Sequence, residues 1–372
     1  MLLTAALIVR DEADHLESCL RSLDGLVDEI VVVDTGSVDA TVSIAERHGA
    51  VVAREQWRDD YSLARNRSLD LARAEWILYI DADEQICPGD HRAARDALAR
   101  ETDRLAGLIP FVPKVGWTPY REFRLWRNRD DIRFQGAMHE SIVPAVTRVA
   151  ERDGLSVEPF DLLTIQHFGY EGDQRAKRAR DEPMLLAEIE RSPDRTYLYD
   201  HLARVYEASG DSERAIATWW RGLDIARGRG SRHPDDRLVY IDLIFHLLGR
   251  GDIGDEFGAL VSEALEAFPR MPSLELAAAR YEFVTGRPVE ALVRTTWLVS
   301  LRQDDLIGTG SSYDGRVFGE WGWDLRGLCE FALGDHAAAA ESFRRAEAAN
   351  PDIEVYGVRR RLAEASAADP AR

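Results

Sequence analysis

At 372 residues the chain is too long for one small core and divides most simply into two domains, and 45% hydrophobic with 30% charged residues is ordinary for a globular protein. A net charge of −19 argues against nucleic acid or an anionic membrane surface as partner. No apolar run reaches the roughly 20 residues of a membrane span, no basic leader marks a signal peptide, and three scattered cysteines (Cys19, Cys87, Cys329) fit a reducing, cytoplasmic setting better than a disulfide framework or zinc site.

In chain order, Leu2 to Val9 reads as a buried strand ending at Arg10-Asp11-Glu12. A helix follows, with Leu16, Leu20 and Leu23 at helical spacing. Glu29 to Val33 is a second strand, ending at Asp34-Thr35-Gly36-Ser37-Val38-Asp39, and Asp39 is placed to N-cap a helix beginning at Ala40. Ala50 to Ala53 is a short strand, and Trp76 to Ile80 is another that stops at Asp81-Ala82-Asp83-Glu84. Strands alternating with helices predict a parallel sheet, and ligands of such sheets sit beyond the carboxyl ends of the strands.

Asp81 and Asp83 leave the sheet at that edge. Side chains at i and i+2 share a face while the chain is extended, so both carboxylates can reach one cation. Hard oxygen donors suit Mg²⁺ or Mn²⁺, and such an ion commonly bridges to substrate phosphates. The local reading is a metal–diphosphate site, set against the plainer one of a capped or solvated turn, in which Glu84 takes a turn hydrogen bond.

From about Thr196 the pattern is helical, with Gly-Asp turns at Gly210-Asp211, Gly251-Asp252 and Gly334-Asp335. Trp323, Gly327, Gly334, Ala339, Phe343, Ala346 and Pro351 fall at tetratricopeptide spacing, as do Tyr199, Leu202, Ala203, Tyr206, Gly210, Ala215 and Trp219. Segments at about 235–268 and 273–300 read as degenerate units, so an array of three to four repeats is expected, stacked to bury its apolar faces. Asp304 to Gly322, rich in Gly, Ser and Asp, reads as a long loop, and Glu171 to Pro193 as a linking helix with Arg175, Lys177, Arg178 and Arg180 near its start. The expected division is 1–170, 171–195 and 196–372.

Several motifs together resemble one family. The strand end Asp34 to Asp39, then Tyr61-Ser62-Leu63-Ala64-Arg65-Asn66, then Asp81 to Glu84, are similar to family 2 glycosyltransferases of the GT-A fold. Arg124-Leu125-Trp126-Arg127-Asn128, Gly136-Ala137-Met138-His139-Glu140 and His167-Phe168-Gly169-Tyr170 match the same group. The resemblance runs in order over residues 1 to about 195 and is nearest to the subgroup fused to tetratricopeptide repeats, which includes sublancin-type peptide S-glycosyltransferases. Arg10-Asp11-Glu12 departs from it, since relatives commonly carry Lys-Asn-Glu there.

The resemblance implies an α/β GT-A domain, Rossmann-like with a mostly parallel sheet, followed by an all-α repeat domain. It implies a metal-dependent inverting transferase with a divalent cation (Mn²⁺ or Mg²⁺) and a UDP-sugar donor, glucose or N-acetylglucosamine. Arg10, Glu12, Asp34, Arg65 and Asp81 would contact the donor: Asp34 the base or ribose, Arg65 the phosphates. Asp83, Asp81 and His167 would hold the metal, though a lone histidine is often structural. Glu140 would be the base that removes the acceptor proton, with His139 orienting it or touching the acceptor. The acceptor would be a peptide or protein side chain held by the repeats, with a polysaccharide or natural product as the alternative and a homodimer left open. A non-catalytic binding protein built on a relic domain is the rival from another class, and intact Asp81, Asp83 and Glu140 argue against it. A nucleotidyltransferase ranks third, because no glycine-rich basic loop follows the first strand.

Overall fold

The computed structural model describes residues 1–169, 175–308 and 310–368. Tyr170, the last residue of the His167 motif, and 171–174, the first residues of the expected linking helix, lie outside them. The chain divides into two compact units, Met1–Arg175 with Leu306–Ser312, and Ala176–Asp305 with Tyr313–Arg372. Among the described residues no helix is long and apolar enough to cross a membrane.

The first unit is built on nine strands: β1 Leu3–Val9, β2 Glu29–Asp34, β3 Val51–Arg54, β4 Trp76–Tyr79, β5 Glu84–Ile86, β6 Arg104–Val112, β7 Tyr120–Arg127, β8 Ser156–Pro159 and β9 Ile165–His167. They run in the order β3-β2-β1-β4-β7-β6-β9-β5, with β8 beside β6. β1, β2, β3 and β4 are mutually parallel; β7 enters antiparallel to β4 and makes a hairpin with β6, so the sheet is mixed. Five helices cover it: α1 Leu16–Ser22, α2 Thr41–Arg47, α3 Tyr61–Leu71, α4 His91–Arg100 and α5 Val143–Asp153.

The early strands read as continuous apolar runs because both faces are buried. Leu3, Ala5, Leu7 and Val9 pack with Trp76, Leu78 and Ile80 toward Leu16 and Leu20 of α1, Ile44 of α2 and Leu98 of α4. On the opposite face Ala6, Ile77 and Trp126 pack with Leu69 of α3 and Val146 and Val149 of α5. Both faces are thus closed by apolar layers, and the polar loops that carry the site residues leave at the carboxyl edge of β1, β2 and β4. Near the β6–β7 hairpin, Leu306 of the same unit is buried and the Ser312 hydroxyl donates to the Thr118 carbonyl.

The second unit contains α6 Arg175–Arg191 (from Ala176), α7 Thr196–Ala208, α8 Ser212–Gly228, α9 Asp236–Arg250, α10 Asp255–Ala267, α11 Pro272–Val284, α12 Pro288–Leu298, α13 Glu320–Ala332, α14 His336–Ala349 and α15 Glu354–Ala368. Four hairpins, α7/α8, α9/α10, α11/α12 and α13/α14, each turn through a glycine with positive φ: Gly210, Gly251, Gly286 and Gly334. The third escaped the Gly-Asp pattern because Arg287 follows Gly286. Trp219 and Phe343 are fully buried in their hairpins. The expected loop Asp304 to Gly322 is more ordered than its composition suggested. It holds 3-10 turns at Gln303–Leu306 and Gly315–Val317, and α13 begins at Glu320, so Gly322 is helical.

Candidate active site

The loops after β1 and β2 are latched together by their own polar residues. The Asp11 backbone N–H donates to Ser37 Oγ at 2.9 Å, and Val38 N–H donates to Asp11 Oδ1 at 2.7 Å. Glu12 N–H donates to Thr41 Oγ1 at 2.8 Å. Asp11 takes a left-handed φ of 54° to make this turn. Asp34 is buried at the end of β2, where its carboxylate accepts from Ser37 N–H at 3.0 Å and so shapes its own loop. Arg10 is exposed on the same edge. Asp39 does not N-cap a helix starting at Ala40. Helix α2 starts at Thr41, Ala40 is its N-cap, and Asp39 accepts from Thr41 N–H at 2.9 Å and Ala13 N–H at 3.1 Å. Its carboxylate is therefore spent joining the two loops rather than reaching the second or third helical N–H.

β4 ends at Tyr79, and the acidic turn that follows leads straight into β5. β5 was not visible in the sequence. It begins at Glu84, buried and bound by both Nη atoms of Arg124 at 2.8 and 3.0 Å, while Glu84 Oε2 also accepts the Asp81 N–H at 2.8 Å. The turn hydrogen bond expected of Glu84 exists, but as one part of a buried ion pair. Burial pushes the Glu84 pKa up to about 7 even beside Arg124. Arg124 Nε reaches Glu122 at 2.7 Å, and the Tyr79 ring carries two guanidinium carbons, Arg65 at 4.2 Å and Arg124 at 4.3 Å. Tyr79 and Glu122 are the site residues that sequence reasoning missed, and Arg124 was quoted within a motif without a role. The available signal was Arg124 directly beside the apolar pair Leu125-Trp126 in one strand, a placement that needs a buried partner.

Asp81 and Asp83 point to different partners. Asp81 Oδ1 pairs with Arg65 Nη1 at 2.6 Å, and Tyr79 OH lies 3.3 Å from its other oxygen. Burial would raise the Asp81 pKa, but Arg65 and Arg124 outweigh it and hold the carboxyl below its usual range. Arg65 Nε pairs with Glu140 Oε1 at 2.9 Å, so one guanidinium joins the strand-end acid to the expected base.

Glu140 stands on a short loop closed by reciprocal hydrogen bonds between Gln135 and Ser141, 3.0 and 2.9 Å. Two clamps tie that loop to α3: Tyr61 N–H donates to the Ala137 carbonyl at 2.9 Å, and Asn66 exchanges two hydrogen bonds with Phe134 at 2.8 and 3.0 Å. His139, next to Glu140, holds φ at 53°, an uncommon conformation for a non-glycine residue and one that clusters at functional sites.

Asp83 meets His167, which lies opposite Glu84 in the β5–β9 pairing, at 3.1 Å from Nε2 to Oδ2. Burial disfavours the imidazolium, yet the hydrogen bond and charge of Asp83 raise the His167 pKa. Four carboxylates (Asp81, Glu84, Glu122, Glu140) thus pair with two guanidiniums (Arg65, Arg124), and a fifth, Asp83, pairs with His167. That surplus of negative charge, and the adjacent Asp83 and His167 donors, fit a divalent cation, which the same field would attract in place of a proton. Among the described residues no three His, Cys, Asp or Glu side chains converge as ready ligands, because Asp81 is drawn off by Arg65. Asp83 can reach His167 only because residue 169 is glycine: a Cβ there would lie 1.8 Å from Asp83 Oδ2. Gly169→Ala should displace the Asp83 carboxylate and cost about 1–3 kcal/mol of stability, read from the urea midpoint; an unchanged midpoint would mean the carboxylate moves aside freely.

Residues 4–154 match the family model described as glycosyl transferase family 2. A TPR repeat-containing protein of Synechococcus elongatus is 31% identical over 291 residues, covering 77% of this chain and 66% of that protein. The SPbeta prophage-derived glycosyltransferase SunS of Bacillus subtilis is 29% identical over 143 residues, 37% of this chain and 34% of that one. The chain therefore spans just under two thirds of the first relative's length and about a third of the second's. The crystal structure of S. aureus TarS residues 1–349 with UDP-GlcNAc aligns with 80% of this chain and 92% of its own, at 18% identity and a TM-score of 0.38.

Proposed function

We propose that this chain, whose residues 4–154 match the family model of glycosyl transferase family 2, transfers a sugar from a nucleoside-diphosphate sugar to an acceptor with inversion at the anomeric carbon. The observation that carries the reading is the bridge from Asp81 through Arg65 to Glu140, which sets the strand-end acids and a carboxylate base in one site.

Inversion needs a base on the acceptor side, facing away from the leaving group. Glu140 takes that role: its carboxylate accepts the acceptor proton as the nucleophile attacks, and His139 beside it orients the carboxylate or the acceptor. On the donor side Asp34 accepts hydrogen bonds from the nucleoside, and Arg10 and Glu12 line the approach of the diphosphate. Asp83 and His167 would hold a divalent cation, Mn²⁺ or Mg²⁺, with Asp81 beside them. Such an ion neutralises the charge that develops on the departing diphosphate. The motif resemblance favours UDP-glucose or UDP-N-acetylglucosamine as donor. The acceptor we assign is a peptide or protein side chain, with the tetratricopeptide-like helices as its holding surface.

The test is a screen of nucleotide sugars for hydrolysis and transfer with Mn²⁺ and Mg²⁺, run on the wild type and on Asp83→Ala. Turnover should depend on the added ion, be stopped by EDTA, and collapse in Asp83→Ala while the folded structure survives. Full turnover in EDTA, or in the variant, would remove the metal from the reading.

A further inference from the structure

A guanidinium in a protein interior has to have its donors matched, and the way Arg65 is matched says what it does. The residue is only 6% exposed. It lies in α3, and its Nη1 and Nε reach two carboxylates from distant parts of the chain, Asp81 at 2.6 Å and Glu140 at 2.9 Å. Its face rests on the Tyr79 ring at 4.2 Å, which fixes the plane of the fork. The helix that carries it also holds the Glu140 loop through Tyr61 and Asn66. Two carboxylates on one guanidinium leave the trio with net negative charge, so it offers little attraction to a diphosphate. A phosphate that took Arg65 would have to strip it from a half-buried partner.

We propose that Arg65 is the positioning residue for the base: it contacts neither donor nor acceptor, but holds the Glu140 carboxylate at a set place relative to the acidic turn. The inference rests on the glycosyl-transfer reading above. Its consequence is kinetic, because an error of about 1 Å in placing a reacting group can cost on the order of 10²-fold in rate without weakening ground-state binding.

The experiment uses the full chain with Arg65→Met, Arg65→Lys, Glu140→Gln and the double variant Arg65→Met/Glu140→Gln, with UDP-sugar varied at saturating Mn²⁺. In Arg65→Met, kcat for transfer should fall by roughly 10²-fold with the donor KM within about twofold of wild type. Lysine keeps the charge but cannot span both carboxylates, so Arg65→Lys should recover only part of the rate. On the Glu140→Gln background, Arg65→Met should cost no more than about a further threefold, since the group it serves is already lost. A donor KM raised about tenfold with kcat intact would make Arg65 a donor contact and overturn the proposal. So would losses that multiply in the double variant, or a kcat per folded molecule that matches wild type while the melting point drops. If Arg65→Met does not fold, Arg65→Lys carries the same KM-against-kcat comparison. Failure of the wild type to transfer any sugar is a separate result: it removes the functional reading and this inference with it.

Discussion

Glu140→Gln should lower sugar transfer by roughly 10²–10⁴-fold while leaving nucleotide-sugar affinity close to that of the wild type. Glutamine keeps the length of the side chain and an amide oxygen that can still accept from Arg65 Nε, so the Gln135–Ser141 loop keeps its shape. What is lost is the lone pair basic enough to take the acceptor proton. The donor contacts assigned to Asp34 and the acidic turn are untouched. Calorimetric titration of the nucleotide sugar, paired with a transfer assay on the same preparation, separates the two effects. Weak donor binding with normal transfer at saturation would move Glu140 to the donor side of the site.

In the helical unit the largest stability loss should come from Trp219→Ala, about 3–5 kcal/mol, because the ring is fully buried and no neighbour can fill its volume. The change also deprives Asp200 of a bond: the indole Nε1–H donates to its Oδ1 at 3.0 Å. Burial holds the Asp200 pKa well above the carboxylate range, and a bond to its ionised form is lost with the indole. Phe343, 1% exposed in the α13/α14 hairpin, should lose a similar amount as alanine. Urea denaturation followed by far-UV circular dichroism measures both, since the signal is dominated by helix. A loss below about 1 kcal/mol would mean that the hairpins repack around the gap.

The strands β1, β2 and β4 and the polar loops at their carboxyl ends could be read from residue order alone. Their two faces are both covered, so the chain writes them as unbroken apolar runs, and the acids that end them are the first residues for which burial would be costly. The repeats were legible for a similar local reason: each hairpin needs a left-handed turn, and glycine fills it at Gly210, Gly251 and Gly334. Local propensity also misled by one residue at Asp39: Ala40 is the N-cap of α2, and the Asp39 carboxylate divides its oxygens between the Thr41 and Ala13 N–H groups.

What tertiary structure decided is who partners whom. β5 is three residues long and opens on a buried glutamate, so it has no apolar signature, and it exists because β9, some eighty residues later, supplies its ladder. Segment 306–312 is contiguous with the repeats in sequence yet packs within the first unit. Asp81 and Asp83 stand one residue apart, and sequence spacing places both on one cation; the folded chain gives Asp81 to Arg65 and Asp83 to His167. Sequence determines which charged groups are present near a strand end. It cannot determine their pairing, because an ion pair is set by distances of a few ångströms between segments that only the closed sheet brings together.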